Sequence, residues 1–289
     1  MTRRALFLFI AMSVIWGLPY LFIRIAVMEL SPVVLVFART ALAVLILLPI
    51  ALARGEVRGV LKSWLPLVAF TAVEIGIPWV MISSAEQKIT SSLAGLLVSA
   101  VPLVGVVIAT VLGNREHLGL SSVAGLLLGV VGVAAIVGFD LKASGWQPLV
   151  EMAVVVVCYA GGPAILSRYL SAQPAVGVNA LALAFTAIAY APFAVAQWPH
   201  SVPRIDAVAA VIVLAVVCTA LAFLLFFALI AEIGPVRATV ITYINPAVAA
   251  VLGVIVLREN FTVGMAIGFV LVLAGSVLAT RRPAVAAPA

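Results

Sequence analysis

Charge is what this sequence has least of. Only 9% of its 289 residues are Asp, Glu, Lys or Arg, where a soluble domain carries about 25%. Hydrophobic residues make up 66%. Such a chain cannot clothe itself in a polar surface, so lipid is its expected solvent. Cysteine and histidine are scarce as well. Cys158 and Cys218 lie inside apolar runs with no CxxC spacing, and His117 and His200 fall in loops without metal-ligand spacing. Metal and redox roles are therefore not expected. The sequence has no P-loop to cradle phosphates and no Gly-x-Ser-x-Gly elbow, so ATP-driven transport by this chain and serine hydrolysis are unsupported. No cofactor is expected. The net charge of +6 raises nucleic acid as a partner. The basic residues are scattered between apolar runs and form no patch, which argues against it.

What is present is a series of long apolar stretches. A helix needs roughly 20 apolar residues to cross a bilayer, and ten such stretches can be drawn. They run Ala5 to Val27, Pro32 to Ala53, Trp64 to Ser84, Ser91 to Leu112, Leu120 to Phe139, Pro148 to Leu170, Ala175 to Trp198, Ala207 to Ile230, Val236 to Leu257 and Val263 to Thr280. The expected fold is all-α and integral to the membrane. Short breaks carry turn or charge signals, among them Gly113-Asn114-Arg115-Glu116 and Asp140-Leu141-Lys142. Arg3 and Arg4 before the first run imitate a signal peptide. The run is about 20 residues long with no small-x-small site at its end, so it reads as the first span. The tail, residues 283–289, is rich in Ala and Pro and is expected to be disordered.

The chain also repeats itself. Gly17, Pro19 and Arg24 recur 144 residues later as Gly161, Pro163 and Arg168, and Pro102 recurs as Pro246. After a one-residue slip, Glu116, Gly125 and Gly132 recur as Glu259, Gly268 and Gly275, and Pro49 as Pro192. The expected halves are 1–142 and 143–282, with five spans each. An odd number of spans sends the second copy in from the opposite side. The halves are then inverted repeats, an arrangement that suits alternating access. With the N-terminus in the cytoplasm, the inner side holds Arg3, Arg4, Arg54, Arg58, Lys62, Arg115, Arg168, Arg237, Arg281 and Arg282. The outer side holds Arg24, Lys88, Lys142, Arg204 and Arg258. The positive-inside rule places both termini inside.

Pro19, Pro78, Pro102, Pro163 and Pro246 fall well inside spans one, three, four, six and nine. An intramembrane proline frees a carbonyl and bends its helix, so these are candidate hinge or gating residues. Trp16, Tyr20, Trp79, Tyr159 and Tyr243 are candidate walls of a substrate cavity, or else ordinary packing. Trp64, Trp146 and Trp198 sit at span ends and suit an interfacial belt. Asn179, Thr242 and Asn245 are candidate buried polar groups, for substrate or for cross-linking helices. Arg39 and Glu74 are the deepest ionisable residues. A charge there costs at least about 2.5 kcal/mol, so each needs a partner. Either they pair with each other, or Glu74 stays protonated and titrates during a transport cycle. Glu151, near the end of span six, is read as interfacial.

Span five reads Gly125-x3-Gly129-x2-Gly132, and span ten carries Gly264, Gly268 and Gly275. Small residues at this spacing allow close helix contact. The expectation is a helix–helix contact or a homodimer through spans five and ten, and otherwise a monomer.

Ile15-Trp16-Gly17 with Tyr20 and Arg24 resembles the first-helix signature of the drug/metabolite transporter superfamily, EamA type. Arg39 resembles its basic residue in the second helix, and Pro102 to Glu116 its fourth-helix proline and following loop. Tyr243-Ile244-Asn245-Pro246 with Leu257-Arg258-Glu259 is similar again in the second copy. Pro19 departs from the polar residue often found there, and Asn114-Arg115 intervenes before Glu116. The resemblance covers nearly the whole chain. It implies a multi-pass carrier of the bacterial inner membrane, usually exporting amino acids or other small metabolites, like the YddG-like exporters. Carriage of drug-like cations or nucleotide-like metabolites is the alternative. A channel or membrane-embedded enzyme lacks its signature here.

Overall fold

The computed structural model describes residues 2–111, 120–138 and 145–280. Leu112, the break at 113–116 with Glu116, His117, Phe139, the break at 140–142, Arg281, Arg282 and the tail from Pro283 lie outside the described residues. Ten helices are long and apolar enough to cross a membrane. They are Arg3–Ala26, Pro32–Ala53, Trp64–Ala85, Ser91–Val111, Leu120–Val137, Gln147–Tyr169, Ala175–Ala196, Ile205–Ile233, Thr239–Leu257 and Val263–Thr280. They are called spans one to ten below. Each described boundary lies within three residues of the sequence expectation.

Local chemistry starts several of them. Thr2, Ser31 and Thr90 accept from the backbone N–H three residues on, at 3.0, 3.3 and 3.2 Å, and Pro32 follows its cap directly. Such caps satisfy donors that have no helical partner, and proline loses nothing at a first helical position. The end holding Arg3 is called the near end. Odd-numbered spans run away from it and even-numbered spans run back.

Half of the spans are interrupted. Span one stops at Ile15 and restarts at Leu18, with Pro19 in the first turn of the new helix. Span four stops at Val98 and restarts at Val101, next to Pro102. Span nine opens with a 3₁₀ turn, Thr239–Tyr243, before Asn245–Leu257. Spans three and eight each contain a six-residue π-helical segment, Thr71–Gly76 and Val216–Leu221. Pro78 is the second residue after the first of these. Pro163 differs from the other four prolines. It lies within an unbroken helix from Gln147 to Tyr169, although its repeat partner Pro19 marks a break.

Packing pairs each span with a defined partner. Span five lies antiparallel on span ten, backbone against backbone. A Cβ on Gly125 would stand 2.6 Å from the Gly275 oxygen, and one on Gly132 would stand 2.8 Å from the Gly268 oxygen. Close approach is what these glycines allow. Their faces are filled within one chain, so a second copy would have to use other faces of these spans. Span four meets span nine antiparallel, where a Cβ on Gly95 would stand 2.6 Å from Ala249 Cβ. The end of span two meets the start of span seven, where the Gly177 N–H donates to Glu56 Oε2 at 2.8 Å. Span three packs on span six and span eight on span one. The pairings two–seven, four–nine and five–ten thus join spans in equivalent positions of the two halves.

Candidate functional site

Arg39, on span two, is the centre of the buried polar chemistry. Its side chain is almost wholly enclosed, with 6% exposure. The guanidinium carbon lies 3.6 Å from the centroid of the Trp79 ring, a cation–π stack between spans two and three. Nε donates to Thr219 Oγ1 at 2.9 Å, on span eight. The Thr219 hydroxyl spends its own proton on the Leu214 carbonyl at 2.7 Å, five residues back. Its oxygen is therefore left to accept from Arg39. The wide turn of the π-helical segment brings Thr219 to that carbonyl, and such turns often accompany functional sites.

Glu74 sits in the other π-helical segment. Its Oε2 is enclosed and has no hydrogen-bond partner. It packs beneath Gly162 of span six, where a Cβ would overlap the carboxylate. Tyr190 from span seven donates to the Gly76 carbonyl at 3.1 Å and ties down the same turn. The expected Arg39–Glu74 ion pair does not form; the pairs among the described residues are Arg4–Glu232, Arg54–Glu56 and Arg204–Asp206. Arg39 is already held by an aromatic face and a hydroxyl.

The candidate cavity residues divide into groups. Trp79 and Tyr20 are buried, and Tyr159 is half-buried. Tyr159 packs against the hydrophobic cluster that holds Tyr20 and against the one that holds Trp79. Trp16 belongs elsewhere, its ring tilted against Phe226 with centroids 4.6 Å apart and edge-on to Phe223 at 6.2 Å. Tyr243 is half-buried on the 3₁₀ turn. Asn245 joins two helix breaks. With its amide turned to satisfy both ends, its nitrogen donates to the Ser13 and Ile241 carbonyls at 2.9 Å each. A Cβ on Gly17 would stand 2.5 Å from Val248 Cβ, so spans one and nine touch where both are broken.

Two of the three expected buried polar groups stay local or surface. Asn179 is buried but donates to Ala175 within its own helix, at 2.9 Å. Thr242 is exposed rather than buried and donates to Thr239, because the 3₁₀ turn rotates it outward. Glu151 accepts from Ser84 and Gln147, at 2.9 and 3.0 Å, which ties span six to span three. Trp64, Trp146 and Trp198 are exposed at span ends, as a belt requires.

A second polar cluster closes the far end. Glu259 accepts from the Ser91 and Ser92 N–H groups at 2.8 and 2.9 Å and from the Ser92 hydroxyl at 2.6 Å. Arg24 donates to the backbone carbonyl of Glu86. Glu86 lies just past span three, fully enclosed, and both carboxyl oxygens lack a partner. Burial first, and then the Glu259 carboxylate, push its pKa well above the ordinary range, against the pull of Arg24. Beside this cluster is a cavity of about 330 Å³ lined by Arg24, Glu29, Thr90, Arg204, Asp206 and Glu259. A second, apolar groove of about 400 Å³ lies between spans three and seven, next to Thr71, Gly76 and Tyr190.

Sequence reasoning found Arg39, Glu74, Tyr20, Trp79 and Tyr159 but missed Thr219 and Glu86. The repeat carries a signal for the first. Thr219 stands 145 residues after Glu74, and each is the fourth residue of its π-helical segment.

Comparison with known proteins gives consistent matches. The EamA-like transporter family matches the chain twice, over residues 3–138 and 149–281. The uncharacterised inner membrane transporter YedA of Escherichia coli strain K12 is 26% identical over 246 residues, covering 84% of this chain and 79% of its own length. The YedA proteins of strains O6:H1 and O157:H7 match to the same extent. A crystal structure of a protein 21% identical in sequence superposes with a TM-score of 0.68, over 97% of each chain. At that identity it speaks to the fold alone.

Proposed function

The chain belongs to the EamA-like transporter family, and from that premise we propose a secondary carrier that exports amino acids by alternating access. Aromatic and other apolar amino acids, and related small metabolites, are its substrates. The protein is a multi-pass transporter of the inner membrane. The observation that carries the substrate reading is Arg39. It places a permanent cation on the face of Trp79 among spans two, three and eight. A guanidinium edge suits a carboxylate, and an aromatic wall suits an apolar side chain.

The mechanism draws support from the paired architecture. Antiparallel contact between spans four and nine and between spans five and ten is what two inverted halves, 1–142 and 143–282, would produce. The broken spans one, four and nine and the π-helical spans three and eight are the elements able to bend around a central solute. Arg54, Arg58 and Lys62 follow span two at the near end, which favours a cytoplasmic near end. Glu74 favours the second reading, a carrier of drug-like cations; Arg39 opposes it by charge.

Purified protein in liposomes decides between them. Labelled phenylalanine or leucine is expected to show saturable counterflow, and Arg39→Gln is expected to lower its apparent affinity about 10- to 100-fold, the loss of a charge-assisted hydrogen bond. Counterflow of lipophilic cations with no movement of any amino acid would overturn the reading.

A further inference from the structure

We propose that the groove between spans three and seven seats one anionic phospholipid of the near leaflet, an acyl chain lying in the groove and the headgroup on Arg58 and Lys62.

The groove is apolar, about 400 Å³, and opens outward, with Val68, Ile77 and Ile188 exposed along it. Its origin is local. The π-helical segment Thr71–Gly76 takes a wide turn and ends on a residue without a side chain. A Cβ on Gly76 would meet nothing closer than 3.5 Å, so the protein leaves this wall loosely filled. Tyr190 crosses from span seven to the Gly76 carbonyl and holds the two walls together. The depth suits one leaflet. Trp64, exposed at the near end of span three, marks the interface. At about 1.5 Å per residue, Val68 lies about 6 Å and Gly76 about 18 Å deeper. Half of the hydrocarbon core is about 15 Å. The groove therefore follows the course of a single chain from the near interface to about the midplane.

The charge sits at the near end of the same two spans. A short helix, Val57–Leu61, joins them there. Its Val60 is buried against the start of span seven, where a Cβ on Gly177 would stand 3.2 Å from it. Gln173, just before span seven, donates to Ser63 Oγ, just before span three, at 3.4 Å. Arg58 and Lys62 are four residues apart, a spacing that puts them on one face. Both are exposed, and neither pairs with an acid among the described residues. Arg54, by contrast, is taken by Glu56 at 3.9 Å. Basic residues free at headgroup depth attract anionic lipid. Cations at one end and hydrocarbon along the rest are the two halves of a phospholipid. They also disfavour a second copy of the chain as the occupant. A two-fold contact brings the same patch from both subunits together, which would set Arg58 and Lys62 against their own equivalents.

The test is native mass spectrometry of the full chain in neutral detergent, titrated with dioleoyl phosphatidylglycerol or dioleoyl phosphatidylcholine. Wild-type protein is expected to bind one phosphatidylglycerol at least about tenfold more tightly than phosphatidylcholine. Arg58→Gln with Lys62→Gln should weaken phosphatidylglycerol about thirtyfold, each charge counting for roughly a factor of five, and leave phosphatidylcholine unchanged. Ala189→Trp places an indole in the groove and should remove the tight phosphatidylglycerol, with the thermal midpoint in lipid-free detergent showing that the variant is folded. Dihexanoyl phosphatidylglycerol, with the same headgroup and chains too short to fill the groove, gives the same discrimination on the wild-type chain and should bind at least about tenfold more weakly. Equal binding of the two dioleoyl lipids overturns the proposal. So does full affinity for the dihexanoyl lipid or in a folded Ala189→Trp, since the attraction would then be to the charged surface alone. A lipid-free dimer that Ala189→Trp dissociates would give the groove to a second copy and also overturn it.

Discussion

Arg24 donates to the backbone carbonyl of Glu86 and leaves the Glu86 carboxyl, both oxygens enclosed, without a hydrogen-bond partner. The far end is therefore closed over an acid that prefers to be neutral. Burial and the neighbouring Glu259 raise its pKa above the ordinary value of 4.5. A raised carboxyl contributes stability to this closed arrangement in full below that ordinary value, and the contribution is lost as pH climbs through the raised one. Closure should thus weaken with increasing pH. Spin labels at the exposed Met28 and Val202, on the far-end rims of spans one and eight, should move apart as pH rises. Glu86→Gln should flatten that dependence. A separation that grows with pH equally in wild type and variant would assign the effect to another group.

Thr219 is the second point at which a small change should register. Thr219→Val removes the acceptor of the Arg39 Nε–H while keeping the volume. An unsatisfied buried donor costs about 1–3 kcal/mol. The thermal midpoint in detergent should fall, and the apparent affinity for substrate should weaken because Arg39 loses its lateral support. Thr219→Ser keeps the hydroxyl and should restore both. An unchanged melting curve in the valine variant would mean that the Arg39 orientation is set by Trp79 alone.

Glycine contacts make a test of the scaffold. Gly132→Leu drives a side chain into the backbone of span ten, since even a Cβ would stand 2.7 Å from Val272 N. Overpacking of this kind costs about 1–3 kcal/mol. Gly105→Ala meets open space and should be neutral. The two variants, compared by thermal unfolding in detergent, should separate clearly, with Gly132→Leu the less stable.

The ten crossings were legible because span length and apolar runs follow from bilayer thickness. The glycine faces of spans five and ten were legible too, since small residues at helical spacing mean close approach. The π-helical segments were not. Thr71–Gly76 and Val216–Leu221 hold no proline, and the single charge of the first, Glu74, says nothing about helix pitch. For the same reason Thr219 passed as one more residue in an apolar run. Arg39 and Glu74 stood out by charge, but charge alone favoured pairing them. The aromatic face of Trp79 and a hydroxyl from the other half took Arg39 instead, contacts that only the folded arrangement brings together. Proline was an incomplete guide. It announced breaks at Pro19, Pro102 and Pro246, whereas Pro163 stands in a continuous helix.

That difference between Pro19 and Pro163 makes a test of which proline acts as a hinge. Pro163 has no N–H, so the Tyr159 carbonyl four residues earlier lacks its usual helical donor. Pro163→Ala supplies one without moving a break, and should stabilise the helix by about 1 kcal/mol. Counterflow should continue at close to the wild-type rate. Pro19 instead opens a new helix immediately after Gly17, at the place where span one touches Val248 of span nine. Pro19→Ala lets the two pieces of span one run together, which should slow counterflow several-fold while leaving substrate affinity little changed. Equal rates in the two variants would mean that the break in span one does not move during transport, and that bending falls to the π-helical segments of spans three and eight.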